Sequence, residues 1–142
     1  MLQAKHLLEE KGHLVFTIGA DEPVLAAIRS MATNHVGALL VMRGDELAGI
    51  VSERDYARKV ILKGRSSADT PVSEIMSSPV ITVGPEDTID ACMRICTDSR
   101  VRHLPVVDRR SVVGVLSIGD LVKAVINAQT REIEQLQRYI AG

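Results

Sequence analysis

The sequence predicts a mixed α/β (α+β) fold built from two copies of one β-α-β-β-α unit. Two observations predict it: internal self-similarity, and strand-like and helix-like hydrophobic patterns that follow one another in the same order within each copy. Shifted by 65 residues, positions 15–63 of the 142-residue chain align with positions 80–128 without a gap, and 13 of the 49 pairs are identical. Ordinary composition would give roughly three or four identities, so we interpret the chain as a duplication. The identical pairs begin at Val15, Thr17, Gly19, Ala26, Arg29, Val36, Leu39, Val41, Gly49, Ser52, Asp55, Val60 and Ile61.

Each copy opens with a short apolar strand, at positions 15–18 and 80–83. Acidic residues then precede a helix, where they interact favourably with the helix dipole. Apolar residues at positions 24, 27, 28 and 31, and at 89, 92, 93 and 96, have the spacing of one helical face.

Two β-rich runs joined by short, polar connections come next in each copy and predict hairpins. They cover positions 37–42 and 47–51 in the first copy, and 103–107 and 112–116 in the second. A last helix begins near Ser52 and near Ser117. Three strands and two helices cannot cover both faces of a sheet, so we expect the two units to pack together.

The whole chain, 1–142, is therefore predicted to be one module. It comprises a first repeat at 15–63, a linker with a short helix at 64–79, a second repeat at 80–128 and a C-terminal helical extension at 129–142. Pro71 predicts a helix over 72–76 with Thr70 as its cap. Residues 5–11 hold the corresponding place before the first repeat.

The C-terminal extension carries an apolar line of Ile126, Ile133 and Ile140 at intervals of seven, with Leu136 between the last two. Two interpretations remain open at this point. The line is either a stripe for association with a partner or a cover for an open end of the same module.

Composition excludes several classes of function. Seventeen Lys and Arg oppose 18 Asp and Glu, and aromatic residues make up 2% of the chain, so a nucleic-acid surface is not expected. No apolar run is long enough to cross a membrane. The first residues lack the pattern of a secretion signal and the chain has two cysteines, so we expect a reduced, cytoplasmic protein.

A repeated motif places Gly49, Ser52 and Asp55, and again Gly114, Ser117 and Asp120, where an apolar strand turns into a helix. A serine followed by an acid three residues later has the form of a helix capping box. The same hydroxyl and carboxylate could instead accept hydrogen bonds from a sugar diol, with a phosphate near the helix start. The two interpretations are compatible.

The duplicated motif, together with the string Arg102-His-Leu-Pro-Val-Val-Asp108, resembles a CBS-domain pair, also called a Bateman module. The strings Ser52-Glu-Arg-Asp-Tyr-Ala-Arg58 and Ser117-Ile-Gly-Asp-Leu-Val-Lys123 are typical of small stand-alone bacterial two-CBS proteins of the signal-transduction type. The resemblance implies two β-α-β-β-α units packed sheet to sheet, usually as a homodimer. It also implies clefts for an adenosyl ligand: AMP, ADP, ATP, NAD(H) or S-adenosylmethionine.

Carried over by resemblance, Asp55 and Asp120 would bind ribose hydroxyls, with Ser52 and Ser117 beside the ribose or phosphate. Arg102 and His103 would bind phosphate, for which the first repeat has only Gly37 and Ala38, with Arg54 as a substitute. Each of these side chains has the alternative of a plain surface role. The remaining candidates would line the adenine or phosphate, or else belong to the core: Thr17, Val36, Ile50, Val80, Thr82, Val101, Leu104 and Leu116.

We therefore predict a non-enzymatic sensor of an adenosyl ligand, with AMP or NAD(H) favoured, that alters dimer geometry or contact with a separate effector protein. The alternative is a structural interaction module without a nucleotide. Catalysis and metal binding are not expected, because the chain has no Walker loop, no nucleophile elbow and no zinc-ligand spacing. Cys92 and Cys96 are interpreted as buried small hydrophobic residues.

Overall fold

The structure, a computed structural model, describes residues 1–141. It divides into two compact units: Val15–Val80, and Met1–Leu14 together with the chain from Ile81 onward. In chain order the elements are α1 (Ala4–Lys11), β1 (Thr17–Gly19), α2 (Val24–Asn34), β2 (Ala38–Arg43), β3 (Glu46–Ser52), α3 (Glu53–Tyr56), a π-helical turn (Ala57–Ile61), a 3₁₀ helix (Val72–Glu74), α4 (Ile89–Ser99), β4 (His103–Asp108), β5 (Ser111–Ser117) and α5 (Ile118–Ala141).

The first unit contains a three-stranded sheet in the order β1-β2-β3. The β1–β2 pair is parallel and the β2–β3 pair is antiparallel, with Thr17 opposite Leu40 and Ala38 opposite Ser52. Every second side chain of the sheet packs against α2, because side chains alternate between the two faces of a strand. The resulting core includes Leu39, Val41 and Val51 from the sheet and Val24, Ala27 and Met31 from α2.

The second unit repeats this arrangement with a shorter sheet. β4 and β5 pair with His103 opposite Ser117, but the strand predicted at 80–83 is wrong, since only Val83 forms a parallel bridge, to Val106. Proline explains the difference. In the first unit the Leu40 N–H donates to the Phe16 carbonyl at 3.1 Å, and the equivalent residue, Pro105, has no N–H to donate.

The segment before each repeat packs within the unit of the other repeat. α1 lies in the unit of the second repeat, and the linker lies in the unit of the first. The same backbone hydrogen bonds hold both. They run from the N–H groups of Val72 and Ser73 to the carbonyls of Glu22 and Ala20, and from those of Ala4 and Lys5 to the carbonyls of Asp87 and Pro85.

Within the linker, two details differ from the prediction. The helix is a single 3₁₀ turn, Val72–Glu74, with Pro71 rather than Thr70 at its N-cap position. Thr70 is buried, and its hydroxyl instead donates a hydrogen bond to the Ser66 carbonyl at 2.7 Å. Capping by Thr70 is therefore wrong.

Two further features distinguish the second repeat from the first. α5 is one continuous helix of 24 residues, so the C-terminal extension continues the last helix of the second repeat without a break. The β4–β5 hairpin turns through Arg109 and Arg110, both with positive φ (50° and 68°), whereas the β2–β3 hairpin has a glycine, Gly44, at the first of these positions.

Candidate functional site

The repeated Ser–Asp motif forms a helix cap in both units. In the first, the Asp55 carboxylate accepts from the Ser52 backbone N–H at 3.0 Å, and the Ser52 hydroxyl accepts from the Asp55 N–H at 3.2 Å. In the second, the equivalent distances between Ser117 and Asp120 are 2.8 and 3.1 Å. These reciprocal bonds satisfy two N–H groups at each helix start, and the capping interpretation is confirmed.

Each motif aspartate also pairs with a lysine, and the two lysines come from different places. Lys59, four residues further along the first repeat, lies 3.2 Å from Asp55 and donates to the carbonyl of Ile75 at 2.9 Å. Lys11, at the end of α1, lies 2.6 Å from Asp120 and donates to the Val115 carbonyl at 2.7 Å. In both units a lysine therefore ties the motif aspartate to the neighbouring backbone.

This environment keeps Asp120 ionised. Partial burial by itself would raise the pKa of the Asp120 carboxyl, but hydrogen bonds from Lys11 and from the Ser117 backbone lower that pKa below its ordinary value. Both of these donors bind the same carboxylate oxygen, Oδ2. Neither Lys11 nor Ser117 engages Oδ1, so this second oxygen can accept a further hydrogen bond.

Strand pairing places several candidate residues on one face of the first sheet. Thr17, Ala38, Ile50 and Ser52 lie in register on the face opposite the one that packs against α2. By the same pairing, His103 lies opposite Ser117 in the second unit. Thr82 is exposed and immediately precedes the core residue Val83.

Two candidates lie on the wrong face. Leu104 and Leu116 are fully buried in the core of the second unit, so the ligand-lining role considered for them is replaced by a core role. A shift of one residue moves a side chain to the other face of a strand. The residue equivalent to Ile50 is Val115, which is absent from the predicted set although the 65-residue shift identifies it.

The remaining candidates divide into two groups. Val36 and Val101 are half-buried and pack against the two cores, and Val80 is also half-buried. Arg54 is exposed in the first turn of α3.

Arg102 is held close to the second motif by the backbone. Its carbonyl accepts from the Ile118 N–H at 2.8 Å, at the start of α5, and its residue is exposed. Gly37 makes the equivalent bond with Glu53 at 3.0 Å in the first unit. The fold thus brings a guanidinium-bearing residue to one motif and a glycine to the other.

The motif glycines permit close packing of the neighbouring segment. A Cβ atom on Gly49 would lie 2.6 Å from the sulfur of Met76 and 2.9 Å from the carbonyl oxygen of Ser77, and one on Gly114 would lie 2.5 Å from Leu8. Because these glycines have no side chain, the strand of Gly49 can pack closely against the linker, and the strand of Gly114 can pack closely against α1.

Cys92 and Cys96 are free and buried in the core of the second unit. Burial, with contributions from nearby Asp87 and Cys96, raises the pKa of Cys92 to about 11, and burial also raises the pKa of Cys96. Across residues 1–141 no group of three or more His, Cys, Asp or Glu could hold a metal ion. No helix in that range is both long and apolar enough to cross a membrane.

Comparison with known proteins agrees with this geometry. The family model described as the CBS domain matches residues 13–62 and 72–127. The chain is 44% identical over 127 residues to the mitochondrial CBS domain-containing protein CBSX3 of Arabidopsis thaliana, covering 86% of this chain and 62% of that protein. It therefore spans less than two thirds of that relative.

Two solved structures resemble nearly the whole chain. The CBS-domain structure of NE2398 is 50% identical with a TM-score of 0.84, covering 89% of this chain and 99% of that one. A CBS-domain protein from Burkholderia ambifaria is 47% identical with a TM-score of 0.86, covering 89% and 96%. The predicted tandem fold is confirmed by these matches.

Proposed function

We propose that this chain, which belongs to the CBS-domain family, is a regulatory module that binds an adenosyl nucleotide and catalyses no reaction. The family's role as a regulatory and signal-transduction module is the premise. What we propose is the adenosyl ligand, with AMP or NAD(H) favoured over ATP or S-adenosylmethionine. We also propose that the binding residues are those of the two Ser–Asp motifs and of the sheets beside them.

The observation that carries the proposal is the state of the second motif. Asp120 is held ionised with one carboxylate oxygen committed to Lys11 and Ser117, while the other can accept from ribose hydroxyls. Arg102 lies beside the same helix start, and a guanidinium offers phosphate a fixed fork of donors. The two groups that we propose as ribose and phosphate ligands, Asp120 and Arg102, thus lie within one unit.

The first motif offers weaker contacts to both ribose and phosphate. Asp55 is capped through Oδ2 as Asp120 is, but its Oδ1 is already paired with Lys59, and Gly37 stands at the position of Arg102. The exposed Arg54 is the local substitute. We therefore expect the site at Asp120 to bind phosphate-bearing ligands more tightly than the site at Asp55.

Regulation requires that the ligand bind two arrangements of the protein with different affinity, because a ligand with equal affinity for both shifts nothing. We propose that the nucleotide changes the geometry of a homodimer and its contact with a separate effector protein. Two free cysteines suit a reducing compartment such as the cytoplasm.

A second candidate function is favoured by one specific observation: both Ser–Asp pairs are already satisfied as capping boxes. In that case the module is structural and binds no nucleotide. Ser52→Ala and Ser117→Ala would each cost roughly 1 kcal/mol of stability as lost caps, and no nucleotide would alter that stability.

Isothermal titration of the purified protein with AMP, ADP, ATP, NAD, NADH and S-adenosylmethionine separates the two. The proposal expects saturable binding of at least one ligand, weakened at least tenfold by Asp120→Asn and less by Asp55→Asn. Asn keeps an acceptor for the cap while it removes the charge. Asp98→Asn, on the exposed end of α4, is the matched control and should bind as the parent does.

Two results would contradict the proposal. If none of the six ligands binds at millimolar concentration, the structural function is the better one. If a ligand binds but both motif variants retain full affinity, the site is elsewhere on the chain.

A further inference from the structure

α5 carries two apolar stripes, and only one of them is used within the unit. Leu121, Ala124 and Val125 pack into the core of the second unit. The other stripe, for which covering of the same module was an open interpretation, faces solvent. Its apolar side chains are 39% (Val122), 54% (Ile126), 56% (Ile133), 61% (Leu136) and 82% (Ile140) exposed. Within the second unit, this stripe therefore covers no other element.

The exposed stripe has the spacing of a coiled-coil seam. Val122, Ile126, Gln129, Ile133, Leu136 and Ile140 occur in turn at intervals of four, three, four, three and four residues. A mean interval of 3.5 residues keeps side chains facing a second supercoiled helix, which a globular packing surface does not require. The partner that this pattern fits is a helix with the same pattern.

We propose that the stripe is an interface with a second copy of this chain, in which two α5 helices pair in parallel and in register. Isoleucine then occupies every a position, at 126, 133 and 140, and Val122, Gln129 and Leu136 occupy the d positions. At Leu136 the seam has isoleucine at a with leucine at d, the combination that favours two parallel strands.

Polar residues favour the parallel arrangement over the antiparallel one. In a parallel, in-register pair, Gln129 meets Gln129 of the other copy and can hydrogen-bond to it. In the antiparallel alignment that best overlaps the stripes, Gln129 would face Ile133, and the flanking Glu132 would face Glu132. A buried amide against isoleucine and two like charges side by side both destabilise that alternative.

The available area sets the strength of the interface. The exposed part of the stripe amounts to roughly 600 Å² per chain, against about 800 Å² per partner in a standard interface. We therefore expect a reversible dimer whose population rises with concentration in the micromolar range. The inference deepens the proposed function by naming an interface of its homodimer, and a test without nucleotide separates this interface from nucleotide binding.

The first test is sedimentation velocity of the full chain without nucleotide, from about 5 to 200 μM. The parent should shift from monomer towards dimer over this range. Ile133→Asp, at the centre of the seam, should raise the dissociation constant at least tenfold. Gln135→Asp places the same residue on the same helix but outside the seam, and it should leave the dissociation constant unchanged. Circular dichroism checks that both variants keep their helix content.

A cysteine placed in the seam tests the orientation. Leu136→Cys should form an intermolecular disulfide under mild oxidation, because equivalent d positions meet in a parallel pair. A parent that remains monomeric at 200 μM would overturn the interface, as would a dimer indifferent to Ile133→Asp. A dimer in which Leu136→Cys does not cross-link would overturn the parallel arrangement.

Discussion

Gly49→Ala should destabilise this protein more than the same substitution at the equivalent glycine, Gly114. Neither glycine has a positive φ, so alanine is compatible with the backbone at both positions. The cost comes from what the new methyl group meets. The duplicated architecture supplies the comparison, because the two glycines share a motif and differ in the segment packed on them.

The obstacle at Gly49 is partly backbone. A Cβ atom would lie 2.9 Å from the Ser77 carbonyl oxygen and 2.6 Å from the Met76 sulfur. Ser77 is fixed by two hydrogen bonds with Ile50, of 3.1 and 2.8 Å, so it cannot move without straining them. Overpacking typically costs 1–3 kcal/mol, and each strained hydrogen bond adds a cost of about 1 kcal/mol. Alanine also makes the unfolded chain less flexible than glycine does, which stabilises the folded variant by about 0.5 kcal/mol. We expect a loss of about 2–3 kcal/mol.

The obstacle at Gly114 is side chain alone. The nearest atoms are Cδ2, Cδ1 and Cγ of Leu8, at 2.5, 3.0 and 3.2 Å. A leucine side chain can adjust its torsion angles more readily than a paired carbonyl can shift, although Leu8 is buried. We expect a loss of about 1–2 kcal/mol here.

Urea unfolding, followed by circular dichroism, measures both variants against the parent. Gly49→Ala in a Met76→Ala background, compared with Met76→Ala alone, meets the carbonyl without the flexible neighbour, so it should still lose part of the stability. No loss in that background would show that the backbone is not the obstacle. A Gly49→Ala protein within about 0.5 kcal/mol of the parent would refute the steric argument altogether.

Three further measurements test other parts of the structure. The pKa of Asp120 is lower in the folded chain, so its contribution to stability is present above the ordinary carboxylate pKa and is lost as pH falls through the folded value. Asp120→Asn should therefore make urea unfolding less steeply dependent on pH between about 5 and 3. An unchanged pH profile contradicts this. Arg109→Asn/Arg110→Gly should add about 1 kcal/mol by relieving two left-handed arginines, roughly 3 °C in Tm; an unchanged or lower Tm argues against strain. Cys92 and Cys96, buried and with raised pKa values, should react with a thiol reagent only as the protein unfolds, so rapid labelling of the native protein would contradict their burial.

The duplication and the motif chemistry could be predicted from the sequence because they depend on local patterns. Short apolar runs joined by polar connections identify the hairpin strands, and the Ser–Asp spacing of three at the end of an apolar strand identifies a helix start. Asp55 and Asp120 are identified in this way. The missing edge strand was also readable in principle, because Pro105 replaces Leu40 in the shifted alignment and proline cannot donate a ladder bond.

The sequence predicts less reliably which of the two faces of a strand a side chain occupies. The sequence predicts Leu104, Leu116 and Ile50 alike as ligand-lining candidates, yet pairing puts the two leucines on the core side and Val115 at the position equivalent to Ile50. Since the side-chain period of a strand is two, an error of one residue reverses the assignment. Only the register of the strand pair resolves it.

The sequence by itself therefore determined the repeat, the order of the helices and hairpin strands, and the residues that cap the motif helices. The tertiary structure alone decided which segment packs on which repeat. Residues 2–8 correspond to residues 70–76 with an offset of 68 rather than 65, as the hydrogen bonds of Ala4 and Val72 show, so an ungapped alignment misses them. It also brought Lys11 to Asp120 across 109 positions. Such contacts depend on how the chain closes long loops, and the local conformational preferences of the residues do not determine this.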